Sequence, residues 1–239
     1  MIDAGTSAAL ARIAARERDV ANAYRPGFVP ESNDVAHAPR AIATPDPLSV
    51  AAPPGAYFLG ADQNGKIAFS RDGAFHIVDG ELRGPDGRAV LGFAPGNRNA
   101  LTPLRIDPYD RALGGAHNAS IDAGGTLGYV RTSVDPRSGE RRVERVTVGK
   151  LAVARFPAGT QPVRIDAVHV APPPGVKAQI GVPADGNFSA LVPHARDLGG
   201  VDIIAGLEKM KEAYDSFDVL RAAHRARGAT EKTALDLVK

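Results

Sequence analysis

The feature that most limits what this chain can become is a series of turn dipeptides at near-even spacing: Asn64-Gly65, Asp72-Gly73, Asp79-Gly80 and Asp86-Gly87. Each pair supplies residues that tolerate positive φ, the backbone state a two-residue hairpin turn demands. Short apolar stretches of strand length lie between them. The spacing predicts strands at 57–59, 66–70, 74–78, 81–83 and 88–91, joined as an antiparallel meander. A second β region follows, with strands expected near 120–122, 126–132, 141–148 and 150–156 and with Asp135-Pro136-Arg137-Ser138-Gly139 as a hairpin tip. Less regular segments at 163–170 and 177–182 are further strand candidates, interrupted by Pro172-Pro173-Pro174-Gly175.

At both ends the period changes from two to that of a helix. Leu10, Ile13, Val20 and Tyr24, with Ala14 and Ala21 beside them, predict an amphipathic helix over 6–24 that Pro26-Gly27 ends; Arg12, Arg16, Arg18 and Asp19 form its polar face. Ile204, Leu207, Met210, Tyr214 and Phe217 predict a second helix over 201–227, with Gly228 as a break and Thr230 capping a final short turn. Residues 30–54 are rich in proline and alanine without periodicity and read as linker. A single helix of about 18 residues is marginal in water, so both apolar stripes need cover. Packing on each other and on neighbouring subunits, or on the chain's own sheet, satisfies that need equally. The expected class is mainly β with terminal helices that pair in coiled-coil fashion. Its parts are a helical domain of 1–28 plus 201–239, a linker at 29–54 and an antiparallel β domain at 55–200.

Composition removes several kinds of chemistry. With 239 residues and 44% hydrophobic content the chain can bury a core, and with no cysteine it has neither disulfides nor thiolate chemistry. No apolar run reaches the roughly 20 residues of a membrane-spanning helix, and the N-terminus lacks the features of a cleaved secretory signal. The 29 basic and 27 acidic residues are dispersed and tryptophan is absent, so a nucleic-acid interface is not expected. The histidines His37, His76, His117, His169, His194 and His224 include no pair at helical ligand spacing, and His76 alternates with Phe75 and Ile77 as a solvated strand residue. Gly60 to Gly65 resembles a calcium loop only superficially, because Arg71 occupies the place of the closing carboxylate. Asp72, Asp79, Asp86, Asp122 and Asp185 sit in glycine-rich turns and are expected to bond nearby amides. Neither a nucleophile elbow nor a phosphate-binding loop occurs. The chain reads as a non-enzyme, with no catalytic, cofactor or metal site expected.

Four linked motifs carry a resemblance. Gly55-Ala56-Tyr57-Phe58-Leu59, Phe69-Ser70-Arg71-Asp72-Gly73-Ala74-Phe75, Gly80-Glu81-Leu82 and Asp86-Gly87-Arg88-Ala89-Val90-Leu91-Gly92 follow in order over about 38 residues. Ser120 to Leu127 and Val148-Gly149-Lys150-Leu151-Ala152-Val153-Ala154-Arg155-Phe156 extend the pattern, as do Ala21-Asn22-Ala23-Tyr24-Arg25-Pro26-Gly27-Phe28 and Lys211-Glu212-Ala213-Tyr214-Asp215 in the terminal helices. Together they resemble the bacterial flagellar rod and hook protein family. Residues 157–193 fall outside the likeness, Tyr24-Arg25 stands where the family carries Asn-Thr, and Glu17-Arg18-Asp19 replaces an apolar-Ala-Asn-Asn run.

The resemblance implies a structural subunit of the flagellar basal body or hook, exported through the type III apparatus without a cleaved signal. Its partners would be further copies of itself and other axial subunits. By the same likeness, Leu10, Ile13, Val20, Tyr24, Leu207, Met210, Tyr214 and Phe217 would form the assembly interface. Gly55, Phe58, Arg71, Gly73, Phe75, Gly80, Leu82, Gly87, Leu91, Gly92 and Phe156 would hold the β fold. The reading that stands beside it is a monomeric β-rich binding module, for glycan or another cell-surface partner, with its helices packed on its own sheet.

Overall fold

A computed structural model describes residues 4–32, 36, 40–107, 110, 116–134, 137 and 139–237. The elements run α1 (Ala4–Ala21), β1 (Ala41–Ala43), β2 (Val50–Ala51), β3 (Ala56–Ala61), β4 (Ile67–Ser70), β5 (His76–Val78), β6 (Glu81–Arg83), β7 (Ala89–Phe93), β8 (Leu101–Pro103) and β9 (Ala116–Ile121). They continue through β10 (Thr126–Val134), β11 (Arg141–Leu151), β12 (Val153–Arg155), β13 (Val163–Arg164), β14 (His169–Ala171), β15 (Gln179–Gly181), β16 (Val192–Pro193) and β17 (Ala195–Asp197) to α2 (Ile203–Leu237). The protein is mainly β with a helix near each end, and its sheets are antiparallel. The chain divides into two compact units: Met1–Tyr24, Pro30–His37 and Gly200–Lys239 form a helical unit, and Arg25–Val29 with Ala38–Gly199 form a β unit.

In the β unit the strands β13-β14-β4-β3-β7-β11-β10-β9 lie side by side, β12 bridges β3 to β15, and β5, β6 and β8 attach through β7. Two small pairs, β1 with β17 and β2 with β16, stand apart from this sheet. Successive side chains on a strand point to opposite faces. Phe58, Val90 and Val153 therefore enter one core with Phe75, Leu82 and Leu127, while their neighbours Leu59, Leu91 and Ala154 enter a second core with Phe69, Phe156 and Val170. Both faces of β3, β7 and β12 are thus dry, which is why these strands read as unbroken apolar runs.

The expected simple meander is corrected at its centre. β3 pairs with β4 and β7, and β5 pairs with β6, but β4 turns to β14 instead of β5. The cause is Arg71, whose buried side chain pulls the connecting segment inward. Its Nη1 donates to the Pro53 and Ala56 carbonyls at 3.1 and 2.7 Å, and its Nη2 donates to the Ala52 carbonyl at 3.0 Å and to Asp197 Oδ2 at 2.6 Å. Gly73 follows where the chain passes Val50: a Cβ there would lie 1.9 Å from the Val50 carbonyl oxygen. Closeness of backbone therefore explains this glycine, not the positive φ seen at Gly65, Gly80 and Gly87 in the true hairpin turns.

Four further expectations change. The segment 29–54 is not a spacer throughout, since it carries β1 and β2 and sends Val50, Ala51 and Ala52 into the core. Alanine and proline lack periodicity, but two residues of strand suffice to bury a valine. The C-terminal helix does not break at Gly228; it runs unbroken to Leu237, because one exposed glycine costs a helix only about 1 kcal/mol. Thr230 lies inside it, donating its hydroxyl to the Ala226 carbonyl, and is no cap. Asp19, placed on the polar face by periodicity, is fully buried and accepts hydrogen bonds from the Glu31 and Ser32 amides at 2.7 and 3.2 Å. Of the hairpin tip between β10 and β11, Asp135, Pro136 and Ser138 lie outside the described residues.

Removing a partner from a buried ion pair costs about 3–5 kcal/mol, and Arg71 also serves three carbonyls. Arg71→Ala is expected to lower the unfolding free energy of the β unit, read by urea denaturation, by that order. The double variant Arg71→Met with Asp197→Leu should recover only part of the loss, because the three carbonyls still lose the guanidinium; full recovery would show that Asp197 alone matters.

Candidate functional site

Within the helical unit, α1 and α2 lie against each other. The capping carboxylate of Asp202 accepts the Ile204 and Ala205 amides at 3.0 and 3.1 Å and starts α2. Ile13 is buried, Val20, Met210 and Phe217 are partly covered, and Leu10, Leu207 and Tyr214 are exposed. Tyr24 stands beyond the end of α1 and is 71% exposed. Leu10, Ile13, Tyr214 and Phe217 come together in one open cleft of about 580 Å³, edged by Glu17 and Asp218, and the Tyr214 hydroxyl donates to Glu17. Leu207 and Tyr24 do not join it. Ile204, the first residue of the predicted stripe, and Val219, which the stripe did not include, are 74% and 69% exposed on α2.

The 35-residue α2 is about 52 Å long, roughly twice the length of α1. Beyond Leu220 every described side chain on it is exposed. Its local support there is a ladder of short-range contacts: the Arg227–Glu231 ion pair at 3.0 Å and threonine hydroxyls donating to carbonyls four residues back. A helix end without tertiary packing is held by little else.

In the β unit the family-motif residues are structural. Phe58, Phe75, Leu82, Leu91 and Phe156 are buried in the two cores, and Gly55, Gly80 and Gly87 have positive φ. Gly92 sits where a Cβ would lie 2.3 Å from the Lys150 carbonyl oxygen.

The β unit also assembles a charged cluster around His169 that the sequence did not reveal. The β13–β14 turn places Asp166 three residues before His169, and both Asp166 carboxylate oxygens lie 2.9 Å from Nδ1. The β6–β7 turn brings Asp86 to the other ring nitrogen, 3.1 Å from Nε2. Arg88 then pairs with Asp86 at 2.9 Å and with Asp62, in the β3–β4 turn, at 3.7 Å. Five alternating charges so link three turns. His169 lines both a cavity of about 120 Å³, floored by Phe58, Phe75 and Val168, and an open cleft of about 630 Å³ that includes His76 and Asp79. The Asp-x-x-His spacing at 166–169 was the available signal; a search for paired histidines passes over it.

Burial pushes the His169 pKa down, but hydrogen bonds and charge from Asp86 and Asp166 outweigh it and raise the value above 6.5. Burial raises Asp86 and Asp166 as well, yet their bonds to His169 and to backbone amides leave both below 3.8. With a carboxylate at each ring nitrogen, neither nitrogen is free to take a proton from Ser70, the residue paired with His169 on β4. The cluster is built to hold charge in place. Among the described residues, no three histidine or carboxylate side chains converge to hold a metal ion, and no helix is long and apolar enough to cross a membrane. No family model and no curated protein matches this chain.

Gly228 has no neighbouring atom that a methyl group would strike. Gly228→Ala is therefore expected to lengthen the lifetime of the outer half of α2, with a gain of up to about 1 kcal/mol in local helix stability. Amide exchange over 222–237 measures it, and unchanged protection would mean that the helix there already has another support.

Proposed function

We propose that this protein is a structural subunit of the bacterial flagellar rod or hook type, which polymerises through its terminal helices into the hollow axial structure of the basal body. The observation that carries the reading is the mismatch in the helical unit. The apolar residues of α1 and α2 open into a cleft, and beyond Leu220 the described side chains of α2 are exposed. Such surface is what a subunit keeps for its neighbours. The four β motifs and the helix segments give the family likeness its support, and the absence of cysteine suits export of an unfolded chain through a narrow channel.

On this reading α1 and α2 pair in coiled-coil fashion and pack against the helices of adjoining copies, head to tail. A heterologous contact of that kind does not close and so propagates a filament. The β unit faces outward. Partners are other copies and neighbouring axial subunits, with the type III export apparatus as the delivery route and the periplasm-spanning rod as the location. No step of this function calls for catalysis or a cofactor.

Sedimentation velocity over rising concentration, with electron microscopy of the same samples, tests the proposal. The wild-type chain should form elongated oligomers. Leu10→Asp with Leu207→Asp should leave a monomer whose β unit melts at the same temperature. A wild-type chain that remains monomeric at all concentrations, with α1 and α2 protected from amide exchange, would favour a self-contained binding module.

A further inference from the structure

The β13–β14 hairpin is a lightly held edge of the main sheet. β13 and β14 share two residue pairs, and β14 joins β4 through two more, His169 with Ser70 and Val170 with Phe69. Its apolar anchors are Val168 and Val170. Beyond these, the Val29 amide donates to the Ala167 carbonyl at 2.9 Å and Arg164 lies 5.6 Å over the Phe28 ring, and the remaining polar contacts converge on one buried imidazole, 6% exposed. The Asp166 carboxylate that grips Nδ1 also accepts the Val168 and His169 amides, and the His169 carbonyl accepts the Ile165 amide, so hairpin shape and imidazole position are fixed together.

We propose that the Asp62–Arg88–Asp86–His169–Asp166 chain is a pH-operated latch: with His169 protonated it holds the β13–β14 hairpin against the β6–β7 turn, and on deprotonation it releases that hairpin while the rest of the β unit stays folded. The chemistry is a matter of counting protons. An imidazolium has two N–H donors, one for each carboxylate, whereas neutral imidazole has one. Loss of the second proton leaves a carboxylate facing a ring lone pair across about 3 Å in a partly desolvated site, and repulsion replaces a charge-assisted bond.

The surroundings set the limits of this response. From the β6–β7 turn come Asp86 and Arg88, and from the β3–β4 turn Asp62. β4 and the turn after it present Ser70 and Asp72, the N-terminal segment of the unit presents Arg25, and His76, Asp79 and Arg83 face the cleft from β5, the following turn and β6. On the hairpin itself Arg164 donates to the Asp166 carbonyl and not to the imidazole. Arg88 stabilises Asp86 at any accessible pH, so His169 is the group whose charge changes on the alkaline side.

The sign follows from linkage. A histidine whose folded value is raised contributes its full stabilisation below 6.5 and loses it as pH rises through the folded value. Asp86 and Asp166, whose folded values are lowered, contribute above 3.8 and lose their effect as pH falls through their folded values. The latch is closed between these limits and opens on either side. The inference rests on the β unit alone and stands whether or not the helices assemble.

Amide exchange of the full chain, read at residue level and corrected for intrinsic rate from pH 5 to 10, tests it. The Ile165, Val168, His169 and Arg88 amides should lose protection by up to tenfold per pH unit between 6.5 and the folded value, while those of β10 and β11 stay constant. His169→Gln should flatten this limb, and His76→Gln should leave it intact. If His169→Gln fails to fold, the wild-type His169 ring resonances give a second reading, with a titration above 6.5 expected. Protection that is flat with pH, a His169 titration at or below the free value, or equal loss across the whole unit would each overturn the latch.

Discussion

The β unit depends on one guanidinium. Arg71 leaves the sheet at the end of β4 and reaches three carbonyls in the β2–β3 connection and the carboxylate of Asp197 on β17. Those partners are remote in sequence. Burial pushes the Asp197 carboxyl upward even beside Arg71, so desolvation takes back much of what the charge pair offers. The ion pair is better understood as fixing where segments meet than as a source of net stability. Gly73 depends on the same arrangement, since Val50 can approach its backbone only because the chain has already been drawn inward.

The second constraint is that β3, β7 and β12 are buried on both faces. A sheet in that position needs two covers, and the irregular stretch after β12 helps to provide both. Val170 and Val182 enter one core, and Phe188 and Leu191 enter the other. That stretch lies outside the family likeness, yet the likeness motifs cannot bury their own residues without it. Divergence in sequence there is compatible with a fixed role, because the cover needs apolar volume at a few points and not a particular pattern.

Legibility followed the range of the interaction. Hairpins and helices were readable because turn dipeptides and apolar periods act within a few residues, as at Asp79-Gly80 and over Leu10 to Val20. What escaped was set by partners far away. Nothing near Gly73 announces Val50, nothing near Asp19 announces the returning chain at Glu31, and nothing near His169 announces Asp86. Val50 sits among prolines that read as linker, and its burial follows from where Arg71 pulls the chain. The helical stripes were half legible: periodicity shows which side chains are apolar, but not that four of the eight expected at an interface meet in one cleft.

The two units therefore store stability differently, and the difference bears on how such a chain is used. The β unit carries two cores, the Arg71 hub and the charged latch, all built from its own residues. It can be complete before any neighbour arrives. The helical unit buries little beyond Ala9, Ile13, Asp19 and Ala23 on its N-terminal side, and α2 extends past the last side chain it covers. A helix of that length without cover gains order only when something supplies the missing apolar surface. Folding of the first unit and ordering of the second are then separable events.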